Sequence, residues 1–377
     1  MKTVKILALA ALAVAAGLAG CRPGPGADGF VSRDADGLIT LAVGRAVDLK
    51  EPVTDWRLTD DFEEIGAILP GDDPRTFLKT ALFSYFDDQS VLAYSDDRVI
   101  RVSLKDGSFL CEYGHKGRGP GEYSQSLLVL SQDGEVYVND LFSVCHVFSA
   151  ESGKWLRDIS LSGNGAMLNM YAPLGEGLGV VSYSSWDDKP QLFDIVDAAG
   201  RIIRRGPDSF KLKIEFVEEQ GKTVRASNVR ALPAQRTGGY IYQHTWQEDT
   251  LYRISANKDT PWIYLDLAPY HSPYQKGTLQ SDERSMSTTI LVCGRFVFLT
   301  TSSSGGLRQI VYDLEGKELL FCVSRKEGEE GEKTFGIPYE RDGETRYLRP
   351  WMGDRELLIC QDCVDIDNYY CFKLRKP

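Results

Sequence analysis

The chain is short of positive charge, of histidine and of long apolar runs. Against 54 Asp and Glu it sets 43 Lys and Arg, a formal net charge of −11 over 377 residues. No basic stripe interrupts that excess, which argues against a nucleic-acid partner and against electrostatic docking on anionic lipid. The four histidines are scattered: His115 in a Gly-rich stretch, His146 in an apolar alternation, His244 near Trp246 and His271 near Pro273. None stands with Ser or Cys in a nucleophile elbow, so no triad is legible. Beyond the first twenty residues no run is long and apolar enough to span a bilayer. Long helical periodicity is absent too.

What the chain does have is a repeat. A short apolar strand, a polar break, a second strand and a tight turn recur as Val91–Gly107, Glu135–Gly153, Leu178–Gly200, Gly239–Lys258, Phe296–Gly316 and Glu356–Lys373. Successive copies begin 44, 43, 61, 57 and 60 residues apart. Alternating strands at that period mark a β-propeller. The second copy shows a whole unit: Ser126–Leu130, a Gln132-Asp133-Gly134 turn, Glu135–Asn139, a break over Asp140–Ser143, Val144–Ser149, a Glu151-Ser152-Gly153 turn, and Lys154–Leu161. The fold class is therefore all-β: a six-bladed β-propeller of four-stranded antiparallel blades. The last copy supplies only three strands, ending at Phe372-Lys373-Leu374. An open edge is a liability, so the strand-like segment Asp60–Leu69 is expected to close the last blade from the N-terminal side.

The compartment is written in the first residues. Lys2 and Lys5 precede an apolar run from Ile6 to Ala19, the layout of a secretory signal. Its ending, Leu18-Ala19-Gly20-Cys21, resembles a bacterial lipobox, which implies lipidation at Cys21. Arg22 after the Cys, where Asp would retain the protein in the inner membrane, then implies the outer membrane, with the periplasmic face preferred. The domain reading is a signal peptide over 1–20, an anchor and Pro/Gly tether over 21–37 and one propeller over 38–377. Seven cysteines follow Cys21: Cys111, Cys145, Cys293, Cys322, Cys360, Cys363 and Cys371. The odd number leaves one unpaired within the chain. A Cys360–Cys371 cross-strand disulfide, a zinc site on Cys360-x-x-Cys363, and buried thiols are the alternatives, buried thiols being the ordinary outcome.

Strand parity assigns the loops to faces. The breaks between second and third strands fall at one end of the ring, with the blade-to-blade connections, and the Gly turns fall at the other. That rim gathers Asp96-Asp97, Asp140–Ser143, Trp186–Lys189, Thr245–Glu248, Ser302–Gly306, Asp362–Asp367 and the connector Gly114–Tyr123. Its candidate ligand-binding residues are Arg118, Glu122, Tyr123, Asp140, Phe142, Trp186, Asp187, His244 and Trp246, aromatics with neighbouring acids that suit sugars or peptides. The connector, with Gly114, Gly117, Gly119, Gly121 and Pro120, invites a phosphate cradle, but neither Gly-Lys-Ser/Thr nor a helix follows it.

Gly117-Arg118-Gly119-Pro120-Gly121-Glu122-Tyr123, then Gly134-Glu135-Val136-Tyr137-Val138-Asn139-Asp140, then Val147-Phe148 and Gly153-Lys154, resembles the six-bladed propeller lipoproteins of Gram-negative gut bacteria and is similar to NHL and TolB-like repeats. The resemblance is strong over residues 111–161 and rests on strand pattern elsewhere. It implies a lipid anchor and six blades, and no agreed activity. The function expected is a lipid-anchored, monomeric envelope protein that binds a glycan, peptide or partner protein. No catalytic residue is assigned and no cofactor is required. The alternative is a calcium-dependent hydrolase or lyase with the metal in the channel on Asn139, Asp140, Asn228, Asp313 or Asp362; strand-end Asp and Asn more often cap turns. The acidic run Lys326–Lys333 reads as a solvated excursion. The connections over 206–228, 268–285 and 324–344 are long enough for a lid.

Overall fold

The computed structural model describes residues 29–68, 75–76, 82–95, 97–141, 144–161, 168–184, 193–206, 216–219, 222–225, 235–237, 240–245, 248–272, 274–275, 278–279, 282–325 and 335–376. Six antiparallel sheets succeed one another around a ring. Blade 1 is Leu82–Tyr85, Ser90–Tyr94, Arg98–Ser103 and Phe109–His115; blade 2 is Ser126–Gln132, Glu135–Asp140, Val144–Ser149 and Trp155–Ser160. Blade 3 is Leu168–Gly175, Leu178–Ser184, Phe193–Asp197 and Ile202–Arg205; blade 4 is Gln235–Thr237, Tyr240–Thr245, Glu248–Ile254 and Asp259–Leu265. Blade 5 is Met286–Cys293, Phe296–Ser303, Gly306–Asp313 and Glu318–Arg325. All six repeated copies are the second and third strands of a blade.

Burial explains why those two strands carry the signal. In Ser90–Tyr94 every residue is buried, whereas the outer strand Trp155–Ser160 buries only Ile159. A strand sandwiched between two neighbouring blades must be apolar on both faces, and an outer strand need not be. Turn chemistry then sets the register. Asp133 and Gly134 have φ of 52° and 80°, the paired positive values of a two-residue hairpin whose twist matches the flanking strands.

Blade 6 closes as expected. Its strands Glu344–Asp354, Leu357–Asp362 and Tyr369–Leu374 are followed by Phe62–Ile68, which pairs antiparallel with Tyr369–Leu374, Phe62 facing Leu374. Asp60 and Asp61 belong instead to a helical turn, Leu58–Asp61. A fifth strand, Ile337–Arg341, pairs with the start of Glu344–Asp354 and lies over the sheet. Its Tyr339 ring stands 5.7 Å from Tyr370 and 5.2 Å from Phe372, and its hydroxyl bonds Glu64. The excursion read from the sequence over 324–344 thus ends in a packed strand, while Lys326–Lys333 lie outside the described residues.

The chain before Phe62 is a strap, and it takes in residues that the sequence reading put in the tether. Val31–Arg33 and Ile39–Leu41 pair as a hairpin, and Ile39–Leu41 adds in parallel to Asp259–Leu265, the outer strand of blade 4. The helix Val43–Val47 then buries Val43, Ala46 and Val47 between blades 4 and 5. Val53 and Cys322 exchange backbone hydrogen bonds of 2.9 and 2.8 Å on blade 5's outer strand. Trp56, Leu58 and Phe62 fill the cluster between blades 5 and 6. Among the described residues no helix is long and apolar enough to cross a membrane.

The cysteines resolve through register. Cys371 faces Ile359 and Cys360 faces Tyr370, so the two thiols point to opposite sides of one sheet and enter different core clusters. A Cys360–Cys371 bridge is therefore ruled out by the pleat. Cys145, Cys293, Cys322, Cys360 and Cys371 are buried thiols. Burial pushes Cys322 up to about 11 and Cys371 up to about 12, which leaves both protonated and unreactive at neutral pH.

Phe62 is fully buried, with Phe296 5.2 Å away, and anchors the closing strand. Phe62→Ala is expected to destabilise the protein by about 3–5 kcal/mol, read as a lowered urea midpoint. A loss below about 1 kcal/mol would mean that the closing strand contributes little.

Candidate functional site

The connector is a self-contained loop built around one carboxylate. Glu122 Oε2 accepts the backbone N–H groups of Arg118 and Gly119, each at 2.7 Å. Its Oε1 stands 3.2 Å from His115 Nε2. The Gly117 N–H donates to the Tyr123 carbonyl at 3.0 Å, and the Glu122 N–H to the Gly119 carbonyl at 3.0 Å. A Cβ on Gly117 would lie 2.0 Å from Glu122 Oε2, so only glycine lets the carboxylate into the loop. The donors that a phosphate would need are thus taken by Glu122, and the cradle is filled from within. Those backbone groups, Gly119 first and then Arg118, hold the Glu122 carboxyl below its ordinary value.

The rim residues divide by placement. Tyr123 is fully buried in the cluster between blades 1 and 2, its hydroxyl donating to the Gly114 carbonyl at 3.3 Å. It offers no ring face to a ligand. Asp140 is buried and accepts from the Ser124 hydroxyl and from the Ser124 and Gln125 N–H groups, the latter two at 3.1 Å. Burial raises its carboxyl, and those donors together pull it below the ordinary value. Arg118 is exposed, as are His115 and Lys116. The structure therefore brings Arg118, Glu122, Tyr123 and Asp140 to the joint between blades 1 and 2. His244 lies on the second strand of blade 4. Phe142, Trp186, Asp187, Trp246 and Cys21 lie outside the described residues.

The described oxygen ligands considered for calcium do not share a site. Asp140 and Asp362 end second strands and Asp313 ends a third strand, so parity puts Asp313 at the opposite end of the ring. Asp313 accepts the Glu315 and Gly316 N–H groups, and Asp362 those of Val364 and Asp365. Asn139 is fully buried, donating to the Leu128 and Tyr171 carbonyls and accepting the Tyr171 N–H. It staples blade 2 to blade 3. Asn228 lies outside the described residues. Among the described residues no three His, Cys, Asp or Glu side chains gather as a metal site.

Sequence reasoning missed Trp155. Its side chain packs over Gly121 of the connector, where an added Cβ would meet the indole at 2.7 Å. Its indole N–H donates to Asp158 at 2.8 Å. Asp158 also accepts from His146 Nδ1 at 2.7 Å; a carboxylate only accepts, so Nδ1 carries the proton. Held from two sides, Trp155 still leaves 41% of its surface to solvent. Leu156, next in the same outer strand, and Leu110, on the outer strand of blade 1, are exposed too; Gly153 brings the two strands close, resting against the Glu112 carbonyl and the Cys111 thiol. Two bulky apolar residues in succession on an outer strand were the available signal.

No family model matches the chain, and no curated protein matches it. Among solved structures it is similar to a Bacteroides fragilis protein named as exported, with a TM-score of 0.59 and 14% identity over 86% of this chain and 98% of that one. Slighter likenesses are to the computationally designed Ika8 protein (TM-score 0.33, 12% identity, 78% of this chain and 70% of that one) and to Raptor of Chaetomium thermophilum (0.39, 13%, 84% and 30%). At such identities only the first likeness bears on the chain, and it bears on the fold alone.

A depressed carboxyl contributes stability that is present above its unfolded-state value and lost as pH falls through its folded-state value. Wild type should therefore exceed Glu122→Gln in Tm by a constant margin above about pH 5, and the margin should shrink below about pH 4.3, the unfolded reference. A pH-independent difference would contradict the loop's dependence on the Glu122 charge.

Proposed function

We propose that the protein is a lipid-anchored envelope propeller that binds a partner protein or glycan through the outer edge of blades 1 and 2. The observation that carries this reading is Trp155, a large aromatic fixed in one orientation and left open to solvent. Exposed aromatics with apolar neighbours and a polar rim have the composition of recognition surfaces. Leu110 and Leu156, exposed on the outer strands of blades 1 and 2, add apolar surface to this edge, and the exposed His115, Lys116 and Arg118 of the connector add polar groups. The bland alternative for such aromatics, packing between blades, applies to Tyr123 and not to Trp155.

Attachment at Cys21 places the ring at the outer membrane, facing the periplasm, as a monomer. The lipobox and the resemblance to gut-bacterial propeller lipoproteins of NHL and TolB-like type support that placement. The Bacteroides fragilis neighbour of the same fold is named as exported, which fits an envelope location and goes no further. No reaction is assigned, since Asp313 and Asp362 cap turns and Asp140 is held by Ser124 and Gln125.

Two measurements test it. Cys21→Ser should move the protein from the detergent-soluble membrane fraction to the periplasmic soluble fraction; unchanged fractionation would remove the anchor. Cross-linking from solubilised membranes and glycan arrays should yield a partner whose affinity falls about tenfold or more in Trp155→Ala, with the melting curve preserved. Failure to recover any partner, or equal binding by Trp155→Ala, would overturn the docking edge.

A further inference from the structure

The strap completes a cleft that no single blade contains. It has a volume of about 370 Å³ and is lined by Arg33, Asp36 and Ile39 of the strap, by Arg253 and Trp262 of blade 4, and by Arg295 and Glu315 of blade 5. The Arg295 turn joins first and second strands and the Glu315 turn joins third and fourth. The cleft therefore opens at the end of the ring opposite the Asp140 and Asp362 loops. A pocket of this size suits a monosaccharide-sized ligand.

Three guanidinium groups converge there in an acidic protein, each held differently. Arg295 is committed to the fold: its Nη2 lies 2.7 Å from Asp61 and its Nε 3.1 Å from Asp313. Arg253 stacks 4.0 Å above the Trp262 ring, which fixes the plane in which its N–H groups lie. Arg33 is exposed and enters no ion pair among the described residues. Asp36 and Glu315 add two exposed carboxylates to the lining. A simple inorganic anion would be attracted by the guanidinium groups and repelled by these acids. A ligand carrying both a carboxylate and hydroxyl groups satisfies the set, since guanidinium binds carboxylate in a planar fork and carboxylates accept from hydroxyls.

We propose that this cleft binds a small acidic sugar of the uronate class, its carboxylate on Arg33 and Arg253 and its hydroxyls on Asp36 and Glu315. The site uses no residue of the blade 1–blade 2 edge. Because Arg33 and Asp36 belong to the strap, the ligand also pins Val31–Leu41 onto blade 4.

Isothermal titration with D-glucuronate, D-glucose and inorganic phosphate tests this. Saturable binding is expected for glucuronate, with glucose and phosphate each at least about tenfold weaker, and Arg33→Ala should weaken glucuronate about tenfold. Arg33 supports no core contact, so its variant should keep the wild-type Tm. Hydrogen exchange at the amides of Val31–Leu41 should slow with glucuronate. Trp155→Ala should bind glucuronate as wild type does, which separates this cleft from the docking edge. Absence of saturable glucuronate binding, equal affinity for glucose or phosphate, or an unaffected Arg33→Ala would each overturn the proposal.

Discussion

The ring depends on the pairing of Phe62–Ile68 with Tyr369–Leu374. Without it the third strand of blade 6 would offer a row of unpaired N–H and C=O groups, the template on which other chains add. The closing strand also seals the joint to blade 1: Ile65 and Ile68 pack with Phe83, Tyr85 and Leu104. Tyr85 reaches back to donate to the Phe372 carbonyl at 3.4 Å. Three consequences follow from drawing this strand from the far end of the chain. The closing contacts are long-range in sequence, the strap must cross blades 4 and 5 to arrive, and whatever lies between strap and blade becomes part of the molecule's surface chemistry.

That crossing divides the ring into unlike halves. Blade 4 has its outer strand covered by Ile39–Leu41, blade 5 by the Val53 bridge, and blade 6 takes its outer strand from the strap itself. Among the described residues the outer strands of blades 1 to 3 pair with no strand of it. Large apolar residues exposed on outer strands follow the division: Leu110 on blade 1, Trp155 and Leu156 on blade 2 and Ile203 on blade 3, whereas those exposed on blade 6, Trp351, Val364 and Ile366, lie on its first strand and in the loop after its second. In blades 4 and 5 the corresponding strands bury Ile263, Leu265, Phe321 and Cys322. The same sheet edge is thus core on one half of the ring and open surface on the other.

The repeat was legible because second and third strands are apolar on both faces and are punctuated by Asp-Gly or a comparable turn. Closure was legible because a count of strands came up one short. The strap hairpin was not: Val31–Arg33 and Ile39–Leu41 are three residues each, too short for an alternation to register. Ile337–Arg341 was hidden by Pro338 and by its charged neighbours. At the site, an aromatic or an acid in a loop reads the same whether it points out or in. Tyr123 and Asp140 were placed on the rim by strand parity, and only their burial assigns them to the blade 1–blade 2 joint. Arg33, Arg253 and Arg295 carry no sequence signal as a group, since three separate segments bring them together.

The acidic excess takes on a different meaning in three dimensions. Glu122, Asp140, Asp313 and Asp362 each accept backbone N–H groups of a loop or turn. Charge spent on capping is charge withheld from ligands, since a carboxylate already accepting two or three donors has little left for a metal or a substrate. The groups left to act on other molecules are those that capping does not claim: the cations of the connector, the fixed indole of Trp155 and the mixed lining of the strap cleft. A propeller so constructed keeps its strand-end acids for its own loops and meets its surroundings through the connector cations, its uncovered outer strands and the cleft where Asp36 and Glu315 stand beside Arg33 and Arg253.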